Sequence, residues 1–380
     1  MVLNIIADEK FTPFLQGLFE EAAPGNSFFR VITSNPKLVF AVKNASTEAV
    51  DCAYFLSNKF RKDLERATCV IFHTLNLEYA LAALRIPEHI TVVWRGWGFD
   101  YYGYLEAKGL SLVLPSTSMI LAKPSLMNRA FTKRSPRHIL LSLLSRTIGP
   151  IIINKFISKV NYFSCCVPDD YEALKLVLPN LTAQFLPLNY YSCEDVFLRG
   201  DNIQDLSGNN VLLGNSASPS NNHIEVMKML SELGMHGRKV IVPLSYGDEN
   251  YRRSVMSFGE KLLGESFVPL TKFVSLPQYN QIISSCSNVI MNHVRQQAIG
   301  NISATLLRGG KVFLRPENLI YKYFTRLGVK LFCYPADLFL DNLDSKMSPD
   351  DIFKNKEIMT SLWAREEGLK NIRHIVSLVR

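Results

Sequence analysis

Short apolar runs that alternate with helical patterns fill both halves of the chain and restrict what it can fold into. The runs at 2–6 and 69–72 are typical of buried strands, and a stretch with helical periodicity follows each of them. The same alternation starts again at 211–213 and continues through 288–291. Strands that alternate with helices at this spacing indicate βαβ units. We therefore expect an α/β protein with parallel sheets.

Chain length and a change in composition predict two domains. A chain of 380 residues is long for one domain, and its polar, turn-rich part at 199–210 is typical of a linker. We place an N-terminal domain at 1–198 and a C-terminal domain at 209–350. The amphipathic pattern at 351–380 predicts one long helix that could cross back to the first domain. We also expect a short strand at 38–42 and a helix within 47–67.

The stretch at 211–230 has the pattern of a strand, a loop of small residues and a helix. Ser220 or Asn221 is a good N-cap, and Ile224, Met227 and Leu230 recur at helical spacing. Backbone N–H groups of such a loop, together with the helix dipole, favour a bound phosphate. An ordinary turn before a capped helix is an equally good interpretation of these residues alone.

The excess positive charge is confined to the segment at 107–168. This segment has no Asp or Glu and nine Lys or Arg residues, so that removing it changes the net charge from +8 to 8 − 9 = −1. Aliphatic residues are interleaved with the basic ones, but neither apolar run reaches the roughly 18 residues of a membrane span. We predict that the segment contacts an anionic membrane surface; a core helix pair with a solvated basic face is the alternative. The pattern does not favour nucleic acid as a partner, because no aromatic platform or known module accompanies the basic residues.

The seven cysteines indicate a reducing compartment. Their number is odd, no CxxC spacing occurs, and most of them lie inside apolar runs. The N-terminal residues 1–10 have no basic leader and predict a first strand rather than a signal peptide. A cytoplasmic location is therefore expected.

Several motifs of nucleotide and metal enzymes are missing from the sequence. There is no Asp-x-Asp, HExxH, GxxxxGK[ST], GxGxxG or GxSxG, which disfavours a metal-anchored diphosphate, a P-loop enzyme, a dinucleotide dehydrogenase and an α/β-hydrolase. A transferase without a metal stabilises a leaving diphosphate with backbone N–H groups, helix ends and cations. The loops at 214–221 and 295–301 fit that need, and Arg295 can contact a phosphate through two hydrogen bonds. We expect neither a cofactor nor a metal ion.

Polar and aromatic residues follow three predicted strands in the first half. Because the carboxyl ends of parallel strands meet at one edge of a sheet, Asp8, His73 and Asp100 should lie near one another. Each is a candidate general base or a contact for sugar hydroxyls. A buried, hydrogen-bonded histidine is the alternative for His73, and a role in the core is the alternative for Trp94 and Trp97.

Taken in order, these residues resemble the bacterial TDP-4-acetamido-4,6-dideoxygalactose (Fuc4NAc) transferases, the 4-alpha-L-fucosyltransferase family or glycosyltransferase family 56. The matching positions in the first half are Ile6-Ala7-Asp8, Phe72-His73 and Trp94-x-x-Trp97-Gly98-x-Asp100-x-Tyr102. Those in the second half are Gly214-Asn215-Ser216, Ser220-Asn221-x-His223, Val242-Pro243-x-x-Tyr246, Arg295-Gln296-Gln297-x-x-Gly300 and Arg315-x-Glu317-Asn318.

The resemblance implies a GT-B fold, in which two Rossmann-like parallel-sheet domains face each other across a cleft. It implies a metal-independent hexosyltransferase that moves Fuc4NAc or a similar deoxyamino sugar from a TDP-sugar to a polyprenyl-diphosphate-linked saccharide. Such an enzyme would work in the synthesis of a bacterial surface polysaccharide, either enterobacterial common antigen or O-antigen. It would be peripheral to the inner membrane, on the cytoplasmic side.

Sequence pattern and resemblance together predict three sets of site residues. The catalytic candidates are Asp8, His73 and Asp100. The predicted acceptor-side residues are Trp94, Trp97, Gly98 and Tyr102. The predicted donor-binding residues are Gly214, Asn215, Ser216, Ser220, Asn221, His223, Tyr246, Arg295, Gln296, Gln297, Gly300, Asn301, Glu317 and Asn318.

Two other functions remain open from the sequence. A nucleotide-sugar 2-epimerase also uses a GT-B-like fold, although it needs buried acid and base carboxylates and no membrane. A membrane-associated protein that binds nucleotide sugars without catalysis is the second alternative.

Overall fold

The computed structural model of the chain describes residues 1–34, 37–38, 40–121, 148–196, 206 and 208–378. Within these ranges the strands are β1 (Val2–Ala7), β2 (Ser27–Ile32), β3 (Thr47–Val50), β4 (Cys69–Phe72), β5 (Thr91–Arg95), β6 (Tyr162–Ser164), β7 (Gln184–Phe185), β8 (Asn210–Leu213), β9 (Val240–Pro243), β10 (Phe267–Leu270), β11 (Cys286–Met291), β12 (Lys311–Leu314) and β13 (Phe332–Cys333).

The α-helices of the same ranges follow in chain order. They are α1 (Thr12–Ala22), α2 (Asn58–Arg66), α3 (Leu77–Ala83), α4 (Tyr102–Glu106), α5 (Pro115–Leu121), α6 (Gly149–Lys159), α7 (Pro168–Val177), α8 (Cys193–Val196), α9 (His223–Leu233), α10 (Glu249–Leu263), α11 (Leu276–Ser284), α12 (Ile299–Leu307), α13 (Leu319–Leu327), α14 (Leu340–Asp344), α15 (Pro349–Leu362) and α16 (Arg365–Leu378). Short 3-10 helices lie at Cys52–Leu56, Pro219–Asn221 and Gly264–Ser266.

The chain forms two compact units, each built around one parallel sheet. Unit 1 comprises the described residues of Met1–Lys108, Ala130–Val196 and Trp363–Arg380, and unit 2 those of Gly109–Arg129 and Phe197–Leu362. The sheet of unit 1 has the order β3-β2-β1-β4-β5-β6-β7, and that of unit 2 the order β10-β9-β8-β11-β12-β13. This confirms the predicted fold class of two parallel-sheet α/β domains.

In each sheet, the strand that comes first in the chain lies inside the sheet, and later strands are added on both sides of it. In unit 1, β1 pairs with β2 on one side and β4 on the other; in unit 2, β8 pairs with β9 and β11. The order in which strands are added therefore reverses at the pair β1 and β4 in unit 1, and at the pair β8 and β11 in unit 2. In open α/β sheets, ligands bind at this switch point, beyond the carboxyl ends of the two strands.

Burial explains why the central strands read as continuous apolar runs. Every residue of β4, β9 and β12 is buried, as expected when helices cover both faces of a parallel sheet. The core of unit 2 joins strand residues such as Val211 and Val242 to Ile224 and Met227 of α9. The strands are therefore held rigidly, and the loops at their ends have fixed starting points.

The structure differs from the prediction in three places. The helix predicted within 47–67 is present as α2, but residues 47–50 before it form strand β3, which was not predicted and which pairs with β2. The described residues of 38–42 form no strand; Asp8 instead accepts hydrogen bonds from the backbone of Phe40 and Ala41. The predicted final helix is two helices, α15 and α16, with a break at Trp363, which is buried and whose carbonyl accepts a hydrogen bond from Cys193 N–H.

The units divide the chain differently from the predicted boundaries. The basic segment at 107–168 contributes α5 to unit 2 and α6 to unit 1, while its residues 122–147 lie outside the described part of the chain. Helix α15 belongs to unit 2 and α16 to unit 1. Arg365 at the start of α16 forms ion pairs with Glu21 of α1 and Asp195 of α8, which fixes that helix within unit 1.

A buried ion pair joins β2 to α2 in unit 1. Arg30 donates two hydrogen bonds to the Asp63 carboxylate, at 2.7 and 2.8 Å, and Tyr54 O–H donates a third at 2.7 Å. Arg30 and Asp63 are both nearly inaccessible to solvent. Removing one partner of such a pair leaves an uncompensated buried charge.

We predict that Asp63→Ala destabilises unit 1 by about 3–5 kcal/mol, because the buried Arg30 guanidinium keeps only the exposed Glu48 carboxylate, 3.9 Å away, as a counter-ion. Urea denaturation measures the effect. The control is Glu65→Ala on the same helix, where the carboxylate is exposed and 3.9 Å from Arg61, and where we expect little change. Equal losses in the two variants would contradict the role given to the buried pair.

Candidate functional site

The switch point of unit 2 brings together the two loops that the sequence predicted as a diphosphate site. The first loop follows β8, and the second follows its neighbour β11 and leads into α12. Gly214 starts the first loop with φ of 68°, a conformation that favours glycine. A Cβ atom there would lie 2.6 Å from Nε2 of His223 and 2.8 Å from Oδ1 of Asn221. The loop therefore needs glycine both for its conformation and for its close packing.

The side chain of Asn221 holds the first loop in shape. Its Oδ1 accepts hydrogen bonds from Asn215 N–H at 2.9 Å and from Nε2 of His293 at 2.7 Å. Its Nδ2 donates to the carbonyls of Ser216 and Ser218, both at 3.0 Å. Asn221 is fully buried. One amide group thus connects the start and end of the first loop to the second loop.

Most backbone N–H groups of the first loop are already occupied. Gly214 N–H donates to the Ile290 carbonyl, and Ala217 N–H donates to the Tyr246 carbonyl. The N–H groups of Asn215, Asn221, Asn222 and His223 also donate to protein oxygens. The prediction that these N–H groups point at a phosphate is therefore wrong for all six of them: Gly214, Asn215, Ala217, Asn221, Asn222 and His223.

Side chains of the first loop reach the second loop and the loop after β9. Ser220 Oγ donates to Oε1 of Gln297 at 2.8 Å, and Nε2 of Gln297 donates to Oδ1 of Asn215 at 2.7 Å. Nδ2 of Asn215 donates to the hydroxyl of Tyr246 at 3.2 Å, and Ser216 also hydrogen-bonds that hydroxyl. The structure therefore assembles five predicted donor-binding residues into one hydrogen-bonded surface.

The start of α12 carries three further backbone N–H groups that are available to a ligand. Ala298 precedes the helix with φ of 60° and provides no side-chain cap. Within the described part of the chain, the N–H groups of Ile299, Gly300 and Asn301 have no hydrogen-bond acceptor. Three such groups at a helix N-terminus, where the helix dipole is positive, suit an anion.

Arg295 adds a full positive charge to the same region. Burial raises the pKa of the Tyr246 phenol, and the hydrogen bonds from Asn215 and Ser216 and the Arg295 charge oppose that rise. The Arg295 charge also helps burial to lower the pKa of His293 well below its usual value. The guanidinium therefore lies within electrostatic reach of both side chains.

Three predicted donor contacts have no surface to offer a ligand. Asn221, His223 and Asn318 are fully buried. Asn318 caps α13 by accepting from Ile320 N–H at 2.8 Å and donates to the carbonyls of His293 and Arg295. Their prediction as direct donor contacts is wrong, because these side chains are used in holding the loops.

The remaining predicted donor residues are partly accounted for. Gln296 is buried, and Glu317 is exposed and pairs with Arg315 at 2.9 Å. Asn301 donates from Nδ2 to the Tyr279 hydroxyl at 3.0 Å. Gly300 and Asn301 lie in the first turn of α12, where their backbone N–H groups have no acceptor among the described residues.

The switch point of unit 1 forms a second candidate region. A cavity there is lined from the end of β1 and from the end of β4, its neighbour in the sheet. Aromatic rings form much of the wall. The lining residues are Ile6, Ala7, Glu9, Phe11, Thr12, His73, Thr74, Trp97, Phe99 and Tyr190.

The predicted catalytic base His73 is a buried, neutral histidine. Its Nε2 is 2.9 Å from Oδ1 of Asn4, and its Nδ1 contacts the hydroxyl of Tyr190. Burial, together with the charge of Arg95, lowers the pKa of His73 to about 3. Both ring nitrogens are occupied and the ring resists protonation, so the prediction of His73 as a base is wrong.

The two predicted aspartates are also engaged in structure. Asp8 Oδ1 accepts from the backbone N–H groups of Phe40 and Ala41. The carboxylate of Asp100 accepts from Leu75 N–H, Trp97 N–H and the Trp94 indole at 2.8–3.0 Å, and from the Thr74 hydroxyl at 3.3 Å. Both carboxylates therefore take part in holding loops in place, and their assignment as catalytic bases stays a prediction.

The tryptophan loop contributes one ring to the cavity. Trp97 is partly buried, lines the cavity and donates from its indole to the His73 carbonyl at 2.9 Å. Trp94 and Tyr102 are buried, and Tyr102 O–H donates to Asp170 at 2.7 Å. Gly98 is a buried turn residue with φ of 92°. The prediction of Trp94, Gly98 and Tyr102 as acceptor contacts is wrong, because they lie in the interior.

Sequence reasoning missed the polar and aromatic residues that line this cavity beside Trp97. Glu9, Phe11, Phe99 and Tyr190 are the most informative of them. Glu9 had a usable signal, since it comes two residues after the end of β1. Tyr190 had none, because it reaches the cavity from a loop far along the chain.

Neither a metal cluster nor a spanning helix is found in the part of the chain that the structure describes. No three His, Cys, Asp or Glu side chains there are grouped as a metal site requires. None of the helices there is long and apolar enough to cross a bilayer. All seven cysteines are free thiols.

Burial keeps three histidines neutral, which makes stability depend on pH. The pKa values of His73 and His223 are lowered to about 3, and that of His293 is lowered well below its usual value. The unfolded chain takes up protons on these rings below a pH of about 6.5, whereas the folded chain does not. Their stabilising effect is therefore complete above that pH and is lost as the pH falls from there towards 3.

We predict that the free energy of unfolding falls between pH 7.5 and pH 5, by about 2 kcal/mol for each histidine. Urea denaturation at several pH values measures the slope. In His73→Gln, the unfolding free energy of unit 1 should depend less steeply on pH, because one proton fewer is taken up when the unit unfolds. An unchanged slope in this variant would contradict the neutral state assigned to the ring.

We predict that Gly214→Ala destabilises unit 2 by about 1–3 kcal/mol, because its Cβ collides with His223 and Asn221. The matched control is Gly237→Ala, which has a φ of 81° but has open space around its Cβ position. Both variants carry the cost of the positive φ, so only the collision distinguishes them. Thermal unfolding measures the loss. If Gly214→Ala loses no more stability than the control, the close packing around Gly214 is unimportant.

The family comparison concerns the second half of the chain. Residues 193–344 match the family described as 4-alpha-L-fucosyltransferase glycosyl transferase group 56. This range contains both loops of the unit 2 switch point and the whole sheet around them. The resemblance seen in the sequence is thereby confirmed.

Solved structures of similar fold cover the whole chain. The N-terminal domain of a Candida albicans trehalose-6-phosphate phosphatase has a TM-score of 0.64 at 8% identity, with 100% of this chain and 96% of that chain covered. An E. coli trehalose-6-phosphate protein bound with UDP-2-fluoro glucose has a TM-score of 0.61 at 10% identity, with 100% and 99% covered. Anabaena HepE in complex with UDP-glucose has a TM-score of 0.60 at 11% identity, with 100% of both chains covered. The fold is therefore of the GT-B type.

Proposed function

We propose that this chain, a glycosyltransferase that matches the 4-alpha-L-fucosyltransferase group over residues 193–344, transfers a deoxyamino sugar such as Fuc4NAc from a TDP-linked donor. The acceptor is a polyprenyl-diphosphate-linked saccharide of bacterial surface polysaccharide synthesis. The observation that carries the proposal is that the family match covers the two loops whose side chains and free backbone N–H groups meet at one switch point. A nucleoside diphosphate suits that site, as UDP-glucose suits Anabaena HepE.

Different groups of unit 2 contact different parts of the donor. The backbone N–H groups at the start of α12 and the Arg295 guanidinium face the diphosphate. Their positive charge favours the leaving nucleoside diphosphate as its negative charge develops. The side chains of Asn215, Gln297 and Tyr246 offer polar atoms beside them for the sugar or nucleoside. This arrangement supplies the charge without a metal ion.

The proposals of a lipid-linked acceptor and of a membrane location are based on the surface of unit 1. Ile148, just before α6, and Ile151 within it expose 45% and 57% of their surface, and Lys155 and Lys159 follow on the same helix. Exposed aliphatic side chains beside lysines suit an anionic lipid surface. We therefore propose a peripheral location at the cytoplasmic face of the inner membrane, where a lipid-linked acceptor is found.

The experiment that tests the function is a transfer assay with the full chain. TDP- and UDP-linked deoxyamino sugars are offered with and without a polyprenyl-diphosphate-linked disaccharide, in EDTA. We expect a glycosylated lipid and one nucleoside diphosphate for each transfer, only when the acceptor is present. Turnover of the nucleotide sugar to an isomer without acceptor would identify an epimerase, and binding without turnover of any pair would identify a non-catalytic protein.

We predict that Arg295→Ala lowers kcat/KM for the donor by roughly 10- to 100-fold, because a charge-assisted contact with the diphosphate is lost. The shift in melting temperature that a nucleoside diphosphate produces should shrink in parallel. Arg253→Ala is the matched control, since this exposed arginine lies on α10, where it hydrogen-bonds Asn250. Full activity of a folded Arg295→Ala protein would contradict the donor site.

A further inference from the structure

The cavity at the unit 1 switch point combines one carboxylate with a wall of aromatic rings. Glu9 lies in the turn between β1 and α1, where Thr12 N–H donates to its carbonyl at 2.9 Å. Phe11 stacks on Trp97 with ring centroids 6.0 Å apart, and Trp97 lies 4.4 Å from the ring of Tyr190. Phe99 exposes 65% of its surface at the same cavity. Aromatic faces beside a carboxylate suit the apolar faces and the hydroxyl groups of a sugar.

The carboxylate of Glu9 differs from the other acid and base groups at this edge of the sheet. The side chains of Asp8, His73 and Asp100 all form hydrogen bonds within the protein. The Glu9 carboxylate oxygens have no hydrogen-bond donor among the described residues, and the side chain is exposed. It is therefore the group at this cavity that can accept a proton from a ligand without breaking a structural contact.

We propose that Glu9 is the general base that deprotonates the acceptor hydroxyl, with the exposed ring of Phe99 beside it as the contact for the acceptor sugar, since the cavity itself holds only about 20 Å³. This inference rests on the proposed glycosyl transfer. The acceptor O–H proton passes to the Glu9 carboxylate, and the oxygen forms a bond to the anomeric carbon of the donor sugar. The bond from that carbon to the phosphate oxygen breaks, and its electron pair leaves with the nucleoside diphosphate. The proton on Glu9 is later released to solvent.

The surroundings of Glu9 adjust its affinity for a proton. Although the side chain is exposed, partial burial raises the pKa of the Glu9 carboxyl, and the charge of neighbouring Lys10 opposes that rise. Burial in turn lowers the pKa of Lys10, whose ammonium lies 4.9 Å above the Phe11 ring. A carboxylate with a raised pKa is a stronger base while it is still ionised at neutral pH. His73 and Tyr190 are the other titratable groups that line this cavity, and Tyr79, Arg95 and Asp100 interact electrostatically with the groups there.

These surroundings fix the direction of the pH dependence. A base acts in its ionised form, so the rate should fall as the pH drops through the Glu9 pKa. His73 stays neutral over that range because its own pKa lies at about 3. Tyr79 and Tyr190 stay protonated, since burial raises the pKa of both phenols. Burial also raises the pKa of the Asp100 carboxyl, so the acidic limb is assigned to Glu9 by its loss in Glu9→Gln.

The test compares Glu9→Gln with the matched control Glu20→Gln, an exposed glutamate on α1 of the same unit. We expect Glu9→Gln to lower kcat by about 10²- to 10⁴-fold, the usual contribution of a general base. The shift in melting temperature caused by the nucleotide sugar should stay at the wild-type value, because unit 2 provides the donor contacts. Glu9→Asp should keep part of the activity, and Glu9→Gln should lose the acidic limb of the pH profile. Glu20→Gln should match the wild type in every measurement.

Two outcomes would overturn the assignment of Glu9. One is a Glu9→Gln enzyme with wild-type kcat; the other is one whose reduced rate keeps the acidic limb of the wild-type profile, which would show a structural role only. Both differ from a failure of the proposed function, in which the wild-type chain itself transfers no sugar. A folded Glu9→Gln protein is expected, since the carboxylate makes no hydrogen bond to a described residue.

Discussion

The side-chain amide of Asn221 is the interaction on which the candidate donor site depends. It closes the loop after β8 on itself and binds the ring of His293 at the beginning of the loop after β11. Because the amide is fully buried, its hydrogen bonds cannot be exchanged for water without a large cost. The first loop is thus a frame in which the N–H groups of six residues are occupied, and the start of α12 adds three N–H groups that have no acceptor among the described residues. The diphosphate position follows from this division between the two loops.

The two sheets have the same arrangement of strands around the switch point, but different kinds of groups are available to a ligand there. In unit 2 polar side chains and free backbone N–H groups reach the surface, beside the charge of Arg295. In unit 1 most polar side chains at the strand ends hold the structure together, as Asp100 does with its four donors. Aromatic rings and Glu9 are what remains to meet a ligand there. A charged diphosphate suits the first environment, and a neutral sugar hydroxyl with its apolar ring faces suits the second.

The fold was predictable from the sequence because apolar runs and helical periodicity mark each βαβ unit directly. The loops at 214–221 and 295–301 could also be located, since small residues and an arginine follow strands there. The roles within them could not, because Asn221, His223 and Asn318 look like ligand contacts until their burial is known. Glu9 was passed over for Asp8, its neighbour, since no local pattern shows which of two adjacent carboxylates a distant backbone segment will occupy. Strand β3 was missed because it exists only through its pairing with β2.

Amide hydrogen exchange with and without a nucleoside diphosphate sugar tests the central claim most directly. The account predicts that the six occupied N–H groups of the first loop, those of Gly214, Asn215, Ala217, Asn221, Asn222 and His223, are protected before the ligand is added and change little. Those of Ile299, Gly300 and Asn301 should exchange quickly in the free protein and become protected when the donor binds. Ligand-induced protection confined to 214–223, with no change at the start of α12, would contradict the account.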